Sequence, residues 1–133
     1  MKALEKIKLL EDELALLKAD LTKKEAQPIA ISESFSFLVH PTDLGEMNWD
    51  DAMKACADLG DGWRLPTRLE LLLMYNNQDE LGGFAFNYYW SSTEFDYFNA
   101  WIQYFGNGNQ NFFSKFNYYY VRAVRDNIKP KQR

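Results

Sequence analysis

The chain has 133 residues, enough for one domain of modest size, and 47% of them are hydrophobic, which suffices for a packed core. Its formal net charge of −4 argues against a nucleic-acid partner, because affinity for a phosphate backbone comes from clustered lysine and arginine. The single cysteine excludes an intrachain disulfide and favours a reducing compartment, and no stretch is apolar for long enough to span a membrane.

The first segment, residues 1–26, contains neither glycine nor proline and has a heptad pattern. It predicts a coiled-coil helix over residues 1–27 that joins copies of the chain, and its wide leucine stripe favours a trimer over a dimer. A single amphipathic helix packed on its own domain is the alternative. Charged heptads do not fit a signal peptide, so we expect synthesis in the cytoplasm. The a and d positions of the seam are Ala3, Ile7, Leu10, Leu14, Leu17 and Leu21.

Residues 28–133 are predicted to form one domain. Pro28 ends the first helix, because proline lacks a backbone donor, and the alternation of polar and apolar residues over 34–40 predicts a strand. From residue 82 onward there is no helical period, and residues 120–125 alternate like a final strand. Two helices followed by this irregular half indicate an α+β fold.

The two helices of this domain have recognisable first turns. Asn48 is a suitable N-cap for an amphipathic helix over residues 48–59. Thr67 and Glu70 have capping-box spacing for a second helix that reaches about residue 75. The residues predicted to share the apolar face of the first helix are Trp49, Ala52, Met53, Cys56 and Leu59.

Residues 86–120 hold an unusual mixture of side chains. Of these 35 residues, seven are Phe, seven are Tyr and six are Asn. A core rarely contains that much Asn, and a solvated loop rarely contains that much Phe and Tyr, whereas interfaces use both. Lys115 is the only basic residue of the stretch, so a groove for single-stranded nucleic acid would lack its positive charge.

Five sequence blocks occur in order: GWRLPT at 62–67, EL at 70–71, YWSSTE at 89–94, AW at 100–101 and YVRAVR at 120–125. Together they resemble the bacterial C-type-lectin-like domains related to the formylglycine-generating-enzyme fold. More closely, they resemble the variable proteins of diversity-generating retroelements. The resemblance covers residues 32–126 and implies a C-type-lectin-like ligand-binding domain with two short helices and an irregular antiparallel sheet. The oxidase branch of that fold needs reactive cysteines in its C-terminal half, which this chain lacks, so that activity is not implied.

The resemblance also implies an origin for the composition. In these variable proteins an error-prone reverse transcriptase randomises template adenines. Asn codons then yield Tyr, Phe, Ser, Asp, Gly or Ile, but never Glu, Gln, Lys, Met or Trp. Three runs, 95–98, 111–114 and 116–119, contain only permitted residues. The residues that such changes cannot produce lie around and between these runs, as a fixed scaffold would: Trp90, Glu94, Trp101, Gln103, Gln110 and Lys115.

The consecutive bulky aromatics of these runs cannot all face one core, because successive strand residues point to opposite faces. They predict a paratope-like surface on which Tyr and Phe supply rigid contact area and Asn and Ser supply adaptable hydrogen bonds. The alternative is that about half of the rings are core and the others incidental. The predicted ligand-binding residues are Phe95, Asp96, Tyr97, Phe98, Ile102, Tyr104, Gly106, Asn111, Phe112, Phe113, Ser114, Phe116, Asn117, Tyr118 and Tyr119.

Candidates for catalysis or metal binding are few. His40 is the only histidine and has no carboxylate or nucleophile near it in sequence, so we interpret it as a polar residue at a strand end. Cys56 is expected to be a small buried hydrophobe. Glu94, Asp96 and Asn99 could offer oxygen ligands, but the sugar-binding motifs of calcium-dependent lectins are absent. We expect no enzyme activity, no metal and no cofactor.

Other motif residues are interpreted as framework. The tryptophans Trp63, Trp90 and Trp101 are expected in the core or its supports. The arginines Arg64, Arg122 and Arg125 are expected to tie loops to backbone carbonyls.

These observations predict a binding module: a diversified receptor-recognition protein whose variable face is presented in several copies by the coiled coil. The predicted ligand is a macromolecule, a protein or a glycan on a cell surface. Synthesis in a bacterial cytoplasm and display on a phage particle fit the size of the chain. The alternatives are a non-diversified lectin-like assembly module with a fixed protein partner and, least favoured, an enzyme with a carboxylate site.

Overall fold

The computed structural model describes residue 11, residues 25–30 and residues 36–127. The predicted coiled coil therefore lies almost entirely outside the described residues. The strands within them are β1 (Gln27–Ala30), β2 (Ser36–Val39), β3 (Glu46–Met47), β4 (Tyr88–Glu94), β5 (Asn99–Tyr104), β6 (Gln110–Ser114), β7 (Tyr119–Tyr120) and β8 (Val124–Asp126). The helices are α1 (Trp49–Asp58), α2 (Arg68–Asn76) and α3 (Gln78–Leu81).

The strands form two sheets, and the predicted α+β class is confirmed. One sheet has three antiparallel strands in the order β1-β2-β8. The other has the order β3-β7-β4-β5-β6 and is mixed, because Tyr89 of β4 pairs with Tyr120 of β7 in parallel. None of the helices in the described ranges is long and apolar enough to cross a membrane.

The predicted final strand, residues 120–125, is divided between the two sheets. β7 belongs to the five-stranded sheet and β8 to the three-stranded one, and residues 121–123 cross between them. The crossing is held by backbone bonds from Leu44 N–H to the Val121 carbonyl at 2.8 Å and from His40 N–H to the Ala123 carbonyl at 2.9 Å. All residues from Val121 to Val124 are buried, because protein surrounds the crossing on every side.

The first helix begins as predicted but buries fewer residues. Asn48 accepts a hydrogen bond from the backbone N–H of Asp51 at 2.9 Å, which satisfies one free donor of the first turn. Met53 and Leu59 were predicted to be apolar contacts, but they are 38% and 39% exposed. Met53 lies at the edge of the apolar stripe, and Leu59 is the C-cap beyond the last helical residue. The buried residues of α1 are Trp49, Ala52 and Cys56.

The second helix has the predicted capping box. Thr67 Oγ1 accepts from the backbone N–H of Glu70 at 3.2 Å, and Glu70 Oε1 accepts from the Thr67 N–H at 2.8 Å. The Glu70 side chain is only 7% exposed, and Arg64 compensates its charge with bonds of 2.7 and 2.9 Å. A buried carboxylate without such a partner would be strongly destabilising. The short α3 that follows was not predicted.

Two clusters of buried side chains cover opposite faces of the five-stranded sheet. α1 packs Trp49, Ala52 and Cys56 on the face that carries Trp90 of β4. α2 packs Leu71 and Met74 on the opposite face with Tyr89, which alternates with Trp90 along the same strand. Burial of one large apolar side chain contributes about 1.5–3 kcal/mol, so these clusters anchor β4 and β5 from both sides.

Candidate ligand-binding surface

The three runs of permitted residues all lie at the surface. Residues 95–98 form the turn between β4 and β5, residues 111–114 belong to β6, and residues 116–119 lead from β6 into β7. None of these twelve residues is buried, and eight of them are exposed. The most exposed rings of these three runs are Tyr97 at 82%, Phe116 at 77%, and Phe98 and Tyr118 at 63% each.

The alternation of β6 divides the predicted residues between two faces. Phe113 packs against Tyr88 and Tyr119, with ring centroids 5.7 and 5.8 Å away. Phe112, the preceding residue, stacks on Phe95 at 3.6 Å with an interplanar angle of 2°. The predicted single surface is therefore two surfaces, one on each side of the sheet.

The first surface is centred on Tyr88 and is called the tyrosine face: Tyr88, Tyr104, Phe113 and Tyr119. The centroids of the Tyr104 and Tyr119 rings lie 4.9 and 5.3 Å from that of Tyr88. Asn117 Nδ2 donates to the Tyr119 hydroxyl at 3.0 Å, while desolvation raises the pKa of Tyr119. Sequence reasoning missed Tyr88, whose signal was its place two residues before Trp90 on the same strand.

The second surface, the tryptophan face, consists of Arg68, Phe95, Trp101 and Phe112. The Arg68 guanidinium carbon lies 3.5 Å from the centroid of the Trp101 ring, and Phe95 and Phe112 contact Trp101 through ring edges. Arg68 Nε donates to Gln110 Oε1 at 3.0 Å, and Gln110 Nε2 donates to the Arg68 carbonyl at 2.7 Å. Trp101 is thus a half-buried support for predicted binding residues, and Arg68 was missed.

Lys115 joins the turn at residues 95–98 to the start of α1, and it immediately precedes the run 116–119. Its backbone N–H donates to the Phe98 carbonyl at 2.9 Å, and its carbonyl accepts from the Trp49 N–H at 3.0 Å. Its ammonium donates to Glu94 Oε2 and to the Tyr97 carbonyl, both at 2.8 Å, and lies 4.3 Å from the centroid of the Trp49 ring. The Lys115 side chain is only 14% exposed, so the ammonium is held inside the protein.

A depression that we call the loop pocket opens at this point, with a volume of about 350 Å³. It is lined by residues 48–50, Glu94, residues 97–98 and residues 115–116. A shallower depression of about 270 Å³ adjoins the tyrosine face beside Asn109 and Asn111.

Asp96, the acid of the turn at residues 95–98, is bonded within the turn and to its next residue. Asp96 Oδ1 accepts from the backbone N–H of Phe98 at 2.9 Å, from that of Asn99 at 2.8 Å and from Asn99 Nδ2 at 2.9 Å. Desolvation opposes the change, but these hydrogen bonds lower the pKa of Asp96. Within the described residues, no group of three or more His, Cys, Asp or Glu side chains is arranged to hold a metal.

One predicted binding residue, Ile102, is corrected by the structure. Ile102 is 1% exposed and lies in the core beneath α1, opposite Trp90 in the strand pairing, so a macromolecular ligand cannot reach it. Gly106 is exposed, but a Cβ there would lie 2.5 Å from the Tyr104 ring. Gly106 therefore makes room for Tyr104. Ser114 is half-buried, and its hydroxyl accepts from the Phe116 N–H at 3.2 Å.

Most framework predictions are confirmed. Arg122 donates to the carbonyls of His40, Gly82 and Gly83 at 3.3, 3.3 and 2.8 Å. Trp90 is fully buried, and its indole N–H donates to the Met47 carbonyl at 2.8 Å.

In the other two motif arginines, contacts with carboxylates and with an aromatic ring largely take the place of the predicted ties to backbone carbonyls. Arg64 bonds mainly to carboxylates, those of Glu70 and Asp126, and only weakly to a carbonyl, that of Leu65 at 3.3 Å. Arg125 lies over the half-buried Trp63 ring, with 5.1 Å from its guanidinium carbon to the ring centroid.

The only histidine and the only cysteine lie away from the aromatic surfaces. His40 Nδ1 is 2.9 Å from the Thr42 carbonyl, and its ring meets Trp63 edge to face at 5.1 Å. Cys56 is fully buried on α1, and burial raises the pKa of its thiol to about 12. Cys56 is therefore the small buried hydrophobe that was predicted.

Comparison with known proteins agrees with the fold described above. The model of one protein family, the Lcl C-terminal domain, matches residues 22–125, from just before β1 to the middle of β8. A search of curated proteins finds no match. The family match covers well over half of the chain and includes both sheets and both aromatic faces. The chain therefore belongs to the Lcl C-terminal domain family and has its C-type-lectin-like fold.

Proposed function

We propose that the chain is a ligand-binding protein whose exposed aromatic and asparagine-rich surface is diversified by substitution and recognises a macromolecule. The observation that carries the proposal is the agreement between codon chemistry and exposure. None of the twelve residues in the three permitted runs is buried. Of the six residues that adenine changes cannot produce, Trp90 and Gln103 are buried, Trp101, Gln110 and Lys115 are half-buried, and Glu94 is exposed.

The shape and composition of the surface favour a macromolecular ligand. Its large rings stand on open loops and on two broad faces, and the two depressions beside them have volumes of about 350 and 270 Å³. Tyr and Phe provide contact area with few rotamers to restrict, and the neighbouring Asn side chains provide hydrogen bonds that can adapt to a partner. Because the histidine and the cysteine lie elsewhere, binding explains these surfaces better than catalysis.

Diversification has a direct test in the DNA that flanks the gene. We expect a reverse-transcriptase frame and a near-copy of the segment encoding residues 86–125 that differs only at adenines. Such a copy would identify the variable residues base by base. If both this copy and a reverse-transcriptase frame are absent, the alternative, a lectin-like assembly module with a fixed partner, becomes the better explanation.

Multivalent display is the second part of the proposal. The heptads of residues 1–27 favour a trimer, and three linked sites convert modest single-site affinity into strong avidity. Display on a phage particle would use that avidity against a cell-surface protein or glycan. Light scattering of the full chain should give about three times its mass of 15.6 kDa. A monomer mass would instead support the amphipathic helix packed on its own domain.

A further inference from the structure

The loop pocket combines aromatic walls with carboxylates. Tyr97, Phe98 and Phe116 stand at its rim, and Asp50 and Glu94 supply the negative charge. The faces of aromatic rings carry negative electrostatic potential and attract cations within about 6 Å of the ring centroid. Both kinds of group therefore favour a positively charged occupant over a negative one.

The inner end of the pocket already holds a cation of the protein itself. The Lys115 ammonium lies 4.3 Å from the centroid of the Trp49 ring and 5.7 Å from that of Tyr97. It donates to Glu94 and to the Tyr97 carbonyl at 2.8 Å each. This arrangement shows that the rings of Trp49 and Tyr97 accommodate an ammonium group, and Asp50 lines the same pocket.

The charge balance of the pocket is negative. Lys115 is paired with Glu94, and within the described part of the chain Asp50 has no side-chain hydrogen bond or ion pair. The N-terminus of α1 adds partial positive charge of about half a unit, and the first-turn residues Asp50 and Asp51 exceed it. A basic group would neutralise the remaining charge, whereas an acidic group would add to it.

We infer that the loop pocket receives a basic side chain, arginine or lysine, that projects from a protein ligand. The inference rests on the proposed binding function and specifies the ligand chemistry at one part of that surface. The head of the side chain would pack against the rings of Tyr97 and Phe116 and pair with the Asp50 carboxylate. The exposed ring of Phe98 would contact the surface of the protein ligand around that basic side chain.

The inference can be tested by titrating the full chain with two tripeptides in NMR experiments. Acetyl-Gly-Arg-Gly-amide carries the guanidinium, and acetyl-Gly-citrulline-Gly-amide has nearly the same shape without the charge. We expect the arginine peptide to shift the indole N–H signal of Trp49 and to bind about fivefold or more tightly than the citrulline peptide. The indole signals of Trp63 and Trp90, which do not line the pocket, should stay in place.

Matched variants separate the pocket from the general negative charge. Asp50→Asn should weaken the arginine peptide about threefold or more, whereas Asp51→Asn removes the same charge from the same helix turn outside the pocket and should have a smaller effect. Phe116→Ser should also weaken binding, and Phe86→Ser, an exposed ring that does not line the pocket, should not. Circular dichroism checks that each variant is folded.

Equal affinity for the two peptides, or equal effects of the two Asp variants, would overturn the inference. Neither result would test the proposed function, which depends on the adenine-limited template copy and not on the charge of the ligand. Conversely, the absence of a template copy would contradict diversification. A charge-selective pocket in the same chain would still support the cation site.

Discussion

Arg122 and Asp43 form a largely buried ion pair that joins segments 79 residues apart, with 2.7 Å between Arg122 Nε and Asp43 Oδ1. The other oxygen of Asp43 accepts from the Tyr89 hydroxyl at 2.7 Å. The Arg122 side chain is 1% exposed and also serves three backbone carbonyls. One side chain thus fixes the crossing between the two sheets to the loops before β3 and β4.

Removing this guanidinium should be among the most damaging single changes in the domain. We expect Arg122→Met to lower the free energy of unfolding by about 3–5 kcal/mol, because the largely buried Asp43 carboxylate and three backbone carbonyls would lose their donor. Urea denaturation measures the loss. Arg125→Met is the control, since Arg125 is half-buried and lies over Trp63. A loss below about 1 kcal/mol for Arg122→Met would contradict the role assigned to the pair.

Substitutions within the permitted runs should differ in cost according to the surface they occupy. Tyr97→Ser and Tyr118→Ser, at exposed loop positions, should change the free energy of unfolding by less than about 0.5 kcal/mol. Phe112→Ser should cost about 1–2 kcal/mol, because it removes the stack on Phe95 and the edge contact with Trp101. Thermal and urea unfolding of the three variants compare these costs directly. Equal losses at Tyr97 and Phe112 would mean that the tryptophan face has no special packing.

Gly106 should tolerate a side chain only when the Tyr104 ring moves or is removed. Gly106→Ala would place a Cβ 2.5 Å from the Tyr104 ring, which must then leave its position against Tyr88. We expect a loss of about 1–2 kcal/mol in the free energy of unfolding. In a Tyr104→Ala background the same change should cost less than about 0.5 kcal/mol, which a double-mutant cycle reveals. An equal loss in both backgrounds would place the strain in the backbone.

Cys56 should be inert in the folded protein. Burial raises the pKa of its thiol from 9.0 to about 12, so the thiolate fraction near pH 8 falls about a thousandfold. Iodoacetamide should therefore modify the unfolded chain in urea and leave the folded chain almost untouched at the same pH. Because the folded pKa is raised, this group contributes its full stability below pH 9 and loses it as the pH rises towards 12. Rapid labelling of the native chain would contradict the burial of α1.

Local signals in the sequence were sufficient for α1 and α2, although not for the short α3. The Asn48 cap and the capping box of Thr67 and Glu70 act within four residues, so their geometry can be read from the chain alone. The division of residues 120–125 between two sheets could not be read in this way. It depends on pairing with β2 and β3, which lie far earlier in the sequence.

The sequence predicted which runs of residues form the candidate site, but only part of how those residues are arranged. The permitted runs are at the surface, but alternation alone did not reveal which neighbours cover each position. Ile102 and Tyr104 share one face of β5, yet Ile102 lies beneath α1 and Tyr104 lies beyond its reach. Arg68 and Tyr88 were missed because their contacts with the aromatic clusters come from tertiary packing.

The attachment of Lys115 and Val121 has a consequence for how such a surface could vary. Lys115 is hydrogen-bonded to Phe98 and Trp49, and Val121 is bonded to Leu44 and Gly45, so both ends of the intervening segment are fixed. One inserted residue would shift the β7 pairing by one position and turn Tyr119 and Tyr120 to the wrong faces. A repertoire built on this fold would change side chains at constant backbone length, so its members would superpose atom for atom along the main chain.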